Sequence, residues 1–410
     1  MKILFINQFF WPDSSATSQQ LSDMASGLAA RGNEITVLCG EGGYAAAAAA
    51  NAPKGVTILR VKALPFGRNT LGRILSYLSF YISATVRGLL APRADVVVSL
   101  TTPPLISLLG TFIKVTRGSR HFIWEQDLYP DVAVDLNYLK SGGLVERIIG
   151  LLADTSRLHA DGIIALGECM KQRLIQRQIP AERIAIAENW SSASAITPMP
   201  RPGDPRELVL LYSGNLGLAH DLDTLTRTMS SLNPAAGAAT RFRFLFVGGG
   251  VKRKQLASFC ESNGIKNVEF RPYLARDQLS EGLSAGDIGL VTQRSDCWGT
   301  VVPSKVYGIL ASGRPLLFIG PKIATPAHVI QRHQCGWQID PEDDIALTRL
   351  LLHLSVNPEE VRTAGARARQ ALVGFYDLPH SVDRFADILG LVRNAPSCRA
   401  RLDLSDALDR

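Results

Sequence analysis

The run Gly299-Thr300-Val301-Val302-Pro303-Ser304-Lys305-Val306-Tyr307-Gly308 sets a hydroxyl and an ammonium at the start of a short apolar helix. That helix stops at Gly313, and the apolar strand Leu316-Leu317-Phe318-Ile319 follows. Pro303 suits a first helical turn, where its missing N–H has no partner to lose. Free amides at a helix start attract an anion, and Ser304 and Lys305 add an O–H donor and a positive charge. This chemistry suits a phosphorylated ligand, although an ordinary helix cap uses the same residue types.

Two further glycine turns follow apolar strands in the second half of the chain. The first is Tyr212-Ser213-Gly214-Asn215-Leu216-Gly217; the second is Gly248-Gly249-Gly250, with Lys252, Arg253 and Lys254 behind it. Glycines there let backbone approach a ligand closely. In the first half, Trp124-Glu125-Gln126-Asp127-Leu128-Tyr129-Pro130-Asp131 puts carboxylates directly after a strand. Asp127 is placed to orient an acceptor hydroxyl or take its proton; the competing reading is an Asx-type turn before Pro130. Ser14, Ser15 and Thr17 stand at the entrance of the first helix, where N-capping and ligand contact are equally good readings. The first βα turn lacks the three-glycine dinucleotide fingerprint, which argues against a nicotinamide or flavin enzyme. His159 and His220 are the candidate bases. No metal-ligand spacing and no serine nucleophile elbow occurs.

These residues need elements to hold them. Apolar strands are expected at Ile3–Ile6, Glu34–Leu38, Asp95–Leu100, Arg120–Trp124 and Gly162–Leu166, alternating with helical stretches such as Ser18–Arg31. After the proline-rich stretch Pro198–Pro205, read as an interdomain linker, strands are expected at Leu208–Ser213, Arg241–Val247, Val268–Phe270, Ile288–Val291 and Pro315–Ile319. The fold class is α/β: two Rossmann-like domains facing each other across a cleft, where ligands of open α/β sheets bind. The division is 1–195, 196–375, a C-terminal helix at 376–395 packing back on the first domain, and a polar tail at 396–410.

The chain has 410 residues, 46% hydrophobic and 20% charged, which fits a folded protein with large cores. A net charge of +7 permits anionic partners, but no basic run interleaved with aromatics points to nucleic acid. Six scattered cysteines read as reduced thiols. Met1 to Ile6 reads as a first strand rather than a signal peptide. Residues 71–90 carry aromatics, arginines and hydroxyls, and make a poor membrane span. They suit either a bilayer surface, with Arg68 and Arg73 near lipid phosphates, or a helix packed on the sheet. The alanine run between Tyr44 and Asn51 carries no assigned role.

In this order, the segments beginning at Trp124, Tyr212 and Val302 resemble GT-B-fold glycosyltransferases of family 4, the retaining group. The similarity is greatest to bacterial members that build capsule, exopolysaccharide or O-antigen on a lipid carrier. Weaker echoes are Asn189-Trp190, Arg271-Pro272-Tyr273-Leu274 and Ala285-Gly286-Asp287. The resemblance implies metal-independent transfer from a nucleoside-diphosphate sugar, UDP-linked, to a polyprenyl-linked acceptor, by a cytoplasmic enzyme peripheral on the inner membrane. It implies no cofactor beyond the donor substrate. Donor contacts would come from Gly214, Asn215, Gly217, Gly249, Arg271, Tyr273, Thr300, Val301, Ser304 and Lys305. The acceptor would meet Ser14, Ser15, Thr17 and Asp127. Glu125, Asp127 and Lys305 form the candidate catalytic set, and other polysaccharide-assembly enzymes are possible partners. Departures from the family pattern are Thr300 and Gly308 in place of two glutamates, Gln126 in place of a histidine, Ser14-Ser15 in place of two glycines, and no lysine after the Gly214 loop. They fit the subgroup that transfers N-acetylated amino sugars such as fucosamine. Alternatives are a sugar-nucleotide 2-epimerase on the same fold, or a non-catalytic membrane-associated homologue.

Overall fold

The computed structural model describes residues 1–13, 15–43, 52–65, 67, 69–234, 241–274 and 278–391. Ser14, Arg68, the alanine run and the tail at 396–410 lie outside the described residues, as does the end of the 376–395 segment.

Short apolar runs bounded by polar turns give buried parallel strands, since both faces of such a sheet are covered by helices. The first sheet holds β1 (Lys2–Ile6), β2 (Glu34–Gly40), β3 (Val56–Val61), β4 (Val96–Ser99), β5 (Arg120–Trp124), β6 (Gly162–Ala165) and β7 (Ile184–Ile186). Their order is β3-β2-β1-β4-β5-β6-β7, and every pairing is parallel. The second holds β8 (Leu208–Ser213), β9 (Phe242–Val247), β10 (Val268–Arg271), β11 (Ile288–Thr292), β12 (Leu316–Ile319) and β13 (Gly336–Ile339). Its order is β10-β9-β8-β11-β12-β13, again all parallel. The strand order reverses between β1 and β4 and between β8 and β11. Ligand crevices of open α/β sheets lie beyond the carboxyl ends of strands at such points.

Strands β3, β7 and β13 add to those read from the sequence. All three are edge strands: β3 is half-exposed along its length, β7 has three residues, and β13 is fully buried only at Ile339, so none shows a continuous buried apolar run. The proline-rich stretch is not a free linker. Arg201 Nε donates to Asp287 Oδ1 at 2.7 Å, and the Met199 amide donates to Ser284 Oγ, so the stretch is fastened to the second domain.

The crossing between domains lies earlier, at Ser191, and the chain crosses back at Asp377. The two are paired: the Ser191 amide donates to the Tyr376 carbonyl and the Leu378 amide to the Ser191 carbonyl. Helix Leu378–Ile388 then packs on the first domain. Its Val382, Phe385 and Ala386 enter the same apolar core as Phe5, Leu21 and Trp124, with the Phe385 and Trp124 rings edge-to-face at 4.8 Å.

Candidate active site

The end of β8 turns sharply at Gly214, whose φ of +133° disfavours any residue with a Cβ. The Gly248-Gly249-Gly250 turn after β9 is laced onto it. The Leu216 amide donates to the Gly249 carbonyl at 2.7 Å, and a Cβ at Gly248 would lie 2.2 Å from the Gly214 carbonyl oxygen. Tyr273, largely exposed, covers Gly248 and Gly249. Arg271 beside it is ion-paired with Glu269 at 2.6 Å. Asn215 is exposed, and Gly217 is partly so.

Lys305 opens helix Lys305–Ala311 and points at this turn: a Cβ on Gly214 would touch its Cε at 3.4 Å. Its Nζ donates to the Tyr212 hydroxyl at 2.6 Å, reaches His220 Nε2 at 3.2 Å and lies 4.4 Å from the Tyr212 ring centroid. His220 Nδ1 faces the Thr292 carbonyl oxygen at 2.8 Å, so Nδ1 carries the proton and Nε2 is an acceptor. The Tyr212 hydroxyl passes its own hydrogen to the Asn215 carbonyl at 2.7 Å. Burial, reinforced by the Lys305 charge, drops His220 to about 3, so the ring stays neutral. Burial alone lowers the Lys305 ammonium to about 7. Among the described residues no carboxylate forms an ion pair with it, so its charge has only neutral acceptors. Ser304 sits partly exposed at the helix start, and its hydroxyl does not cap its own helix.

Across the cleft, β5 ends at Trp124 and delivers two carboxylates with opposite fates. Glu125 accepts from Arg157 Nε at 2.8 Å, and both side chains are only 3% exposed. Arg157 also holds Asp154 at 2.9 Å and the Tyr129 carbonyl, which makes it the peg of the loop. Among the described residues no cation pairs with Asp127. Burial, then the neighbouring Glu125 charge, raises it to about 6. It borders a small cavity together with Thr101, Ser107, Tyr129 and Arg157. Ser15 caps helix Ala16–Ala30 through its backbone, and its amide donates to Asp13 Oδ1 at 2.8 Å. Thr17 is partly exposed on the first turn.

The two halves touch through the loop that precedes Lys305. Asp127 and Val301 form an antiparallel bridge, and the Leu128 amide donates to the Thr300 carbonyl at 2.9 Å. The Thr300 side chain, fully buried, donates to Asp135 Oδ2 at 2.8 Å and approaches the Cys297 carbonyl at 3.2 Å. Thr300 and Val301 are thus held by the first domain. Arg173, which the sequence did not single out, donates to the carbonyls of Trp298 and Asp296 and lies 4.2 Å over the Trp298 ring. Gly299, at φ +71°, presses on the Cys169 carbonyl, where a Cβ would lie at 2.5 Å. Arg157, Arg173 and Asp135 lie in helical or turn segments with no motif of their own, so only the fold brings them in.

The two laced glycine turns, Lys305 with no carboxylate partner among the described residues, and Asp127 bridged to the loop that precedes Lys305 make up the candidate site. Residues 15–190 match the Glycosyl transferase 4-like domain, and residues 200–371 match Glycosyl transferases group 1. Together they span most of the chain, which belongs to the GT-B glycosyltransferases. A relative from Pseudomonas aeruginosa, named "Probable glycosyltransferase WbjE", is 24% identical over 77% of this chain and 78% of its own length. Among solved structures, the Anabaena protein HepE in complex with UDP and glucose superposes with a TM-score of 0.69 at 14% identity, covering 96% of this chain and 100% of that one. WaaG, a glycosyltransferase involved in lipopolysaccharide biosynthesis, gives 0.69 at 17% identity, covering 94% and 99%. At such identities these structures speak for the fold.

Proposed function

We infer that this glycosyltransferase moves a sugar, of the N-acetylated amino class, from a UDP-linked donor to a polyprenyl-linked acceptor during bacterial surface polysaccharide synthesis. Transfer proceeds with retention and without a divalent metal, at the inner face of the cytoplasmic membrane. The carrying observation is Lys305: a desolvated ammonium with neutral partners, aimed at two laced glycine turns. A donor diphosphate supplies the charge that this site lacks, and charge–charge hydrogen bonds in a dry site are strong. The sequence relatives support the pathway class: besides the Pseudomonas aeruginosa protein, a "Putative colanic acid biosynthesis glycosyl transferase WcaI" of Escherichia coli is 25% identical over 76% of this chain and 82% of its own length.

In this reading the bond from the anomeric carbon to the diphosphate oxygen breaks while the acceptor oxygen bonds to that carbon on the same face. The acceptor proton passes to the departing diphosphate oxygen. Lys305 and the Gly214 turn stabilise the growing negative charge. Asp127 orients the acceptor hydroxyl; Glu125, committed to Arg157, fixes the loop. Tyr273 borders the base.

The epimerase alternative requires acid–base groups beside the sugar, and the histidine next to Lys305 is a neutral acceptor of low basicity. The test is incubation with UDP-sugars, with and without a polyprenyl-diphosphate-linked acceptor, in the presence of a chelator. Acceptor-dependent UDP release in the chelator supports transfer. Change of the donor without acceptor, or strict need for a metal, defeats this reading.

A further inference from the structure

Lys305 does not hold its own side chain in place. It starts a helix of only seven residues, and a lysine stem is flexible. Two rings on the far side of the Gly214 turn fix the ammonium instead. The Tyr212 hydroxyl at 2.6 Å and His220 Nε2 at 3.2 Å from Nζ stand 3.0 Å from each other, so the three atoms close a triangle. The rings meet edge-on, with centroids 5.4 Å apart and planes at 89°, and each walls in the other.

The triangle is polarised. His220 Nδ1 faces the Thr292 carbonyl oxygen at 2.8 Å and Thr292 Oγ1 at 3.1 Å, and the Tyr212 hydroxyl gives its hydrogen to the Asn215 carbonyl. Both hydrogens run outward to backbone, and both rings turn a lone pair on Lys305. An ammonium has three N–H donors. Two go to these lone pairs. The third is left for the side of the partly exposed Gly214, where a Cβ would stand 3.9 Å from Nζ.

The loop that carries His220 is itself pegged. The His220 carbonyl accepts from Lys252 Nζ at 2.5 Å, out of helix Val251–Ser262, and the Ala219 carbonyl accepts from the Arg294 amide at 2.9 Å, just beyond β11. Packing alone would be served by a leucine, which needs no polar partners inside the protein. Imidazole adds a donor on one edge and an acceptor on the other. The titratable groups around the ammonium are His220, Tyr212 and, next to Tyr212, Tyr273, with Lys252 behind His220. Burial, then Tyr273, pushes the Tyr212 hydroxyl well above its ordinary range, and His220 stays neutral, so neither supplies a negative charge.

We propose that His220 is a positioning residue for donor binding: with Tyr212 it takes up two of the three N–H donors of Lys305 and aims the third at a phosphate oxygen over the Gly214 turn. The inference rests on the donor reading above and adds what sets its geometry. One N–H directed at one oxygen makes the grip orientational as well as electrostatic. Without the imidazole acceptor the ammonium turns to other partners and is harder to keep charged.

The test is calorimetric titration of the full chain with UDP and, separately, with inorganic pyrophosphate, between pH 6 and 9. Wild-type affinity for UDP should fall by about tenfold per pH unit above 7, because free Lys305 loses there the proton that a bound phosphate requires. His220→Leu should weaken binding of both ligands roughly tenfold at pH 7, and its decline should begin at a lower pH than in the wild type. The ligands' own ionisation cancels in that comparison. His220→Gln, which returns an acceptor near the place of Nε2, should recover most of the affinity, whereas Tyr212→Phe should bind as weakly as the leucine variant. Thermal melts report which variants are folded, and the glutamine and phenylalanine variants decide the matter where leucine is not tolerated. Unchanged affinity and pH profile in His220→Leu overturn the proposal and leave the donor reading standing. A folded glutamine variant as weak as the leucine one also overturns it, since the ring and not its acceptor is then what counts. Pyrophosphate bound as tightly as UDP, and weakened in His220→Leu, keeps the proposal and defeats the uridine donor. Wild-type binding of neither ligand defeats both.

Discussion

Replacing Lys305 with methionine should stabilise the ligand-free protein while removing its grip on the donor. The ammonium falls from an ordinary value of 10.5 to about 7 because burial strips it of water. At roughly 1.4 kcal/mol per unit, keeping it charged in the fold costs up to about 4–5 kcal/mol. The variant gives up two hydrogen bonds, to Tyr212 and His220, each worth about 1 kcal/mol. The Tyr212 hydroxyl lies 3.0 Å from His220 Nε2, so those two groups can pair with each other. The net gain is about 1–3 kcal/mol, a rise of several degrees in Tm. The sign follows from linkage. Below pH 7 both folded and unfolded chains carry the proton, and the cost is full. Between pH 7 and about 10 only the unfolded chain holds it, so wild-type stability climbs and the variant's advantage shrinks. Calorimetric melts from pH 6 to 9 measure this, and titration with UDP measures binding, expected to weaken tenfold or more. A variant that melts lower than wild type at pH 6, or an advantage that grows with pH, would refute the reasoning.

Asp127, raised to about 6 by burial and then by Glu125, should give kcat/KM an acid limb near pH 6, rising as the carboxylate forms. In Asp127→Asn that limb should vanish along with most turnover; a limb that persists rules Asp127 out. Arg157→Met strands the buried Glu125 charge and should cost about 3–5 kcal/mol in denaturant melts. Adding Glu125→Leu should recover most of it, and a single variant as stable as wild type would show that the pair is not desolvated. Thr300→Val removes the donor to Asp135, a bond of about 1.5–3 kcal/mol to a charged acceptor. It should widen the cleft in small-angle scattering and raise the donor KM more than it lowers kcat; unchanged scattering would contradict a closing role.

Much of this architecture is visible in the residues because continuous Val, Ile and Leu runs leave few options: β4, β6, β8 and β12 are buried along nearly their whole length. Edge strand β3, with only Val61 fully buried, carries no such signature. Likewise Gly214, Gly248 and Lys305 announce themselves by type and spacing after strands. The partners that decide their chemistry do not. Nothing local in the sequence says that the His220 Nδ1 proton goes to the Thr292 carbonyl, or that Thr300 turns its hydroxyl to Asp135. Those contacts join residues 72 and 165 positions apart. The apolar excess of residues 71–90 was legible; the structure buries one side of that helix on the sheet and leaves apolar residues such as Ile82 and Val86 exposed on the other.

The return of helix Leu378–Ile388 to the first domain has a consequence for biosynthesis. Phe385 seals a core that includes Phe5, Leu21 and Trp124, yet it leaves the ribosome after the entire second domain. At about 5–20 residues per second, some tens of seconds separate Trp190 from Leu389. During that interval the N-terminal half has its strands but not its lid. The C-terminal half can close before the half made first. A nascent chain arrested before residue 378 should thus present protease-sensitive N-terminal helices beside a resistant C-terminal sheet, reversing the usual order of maturation along a polypeptide.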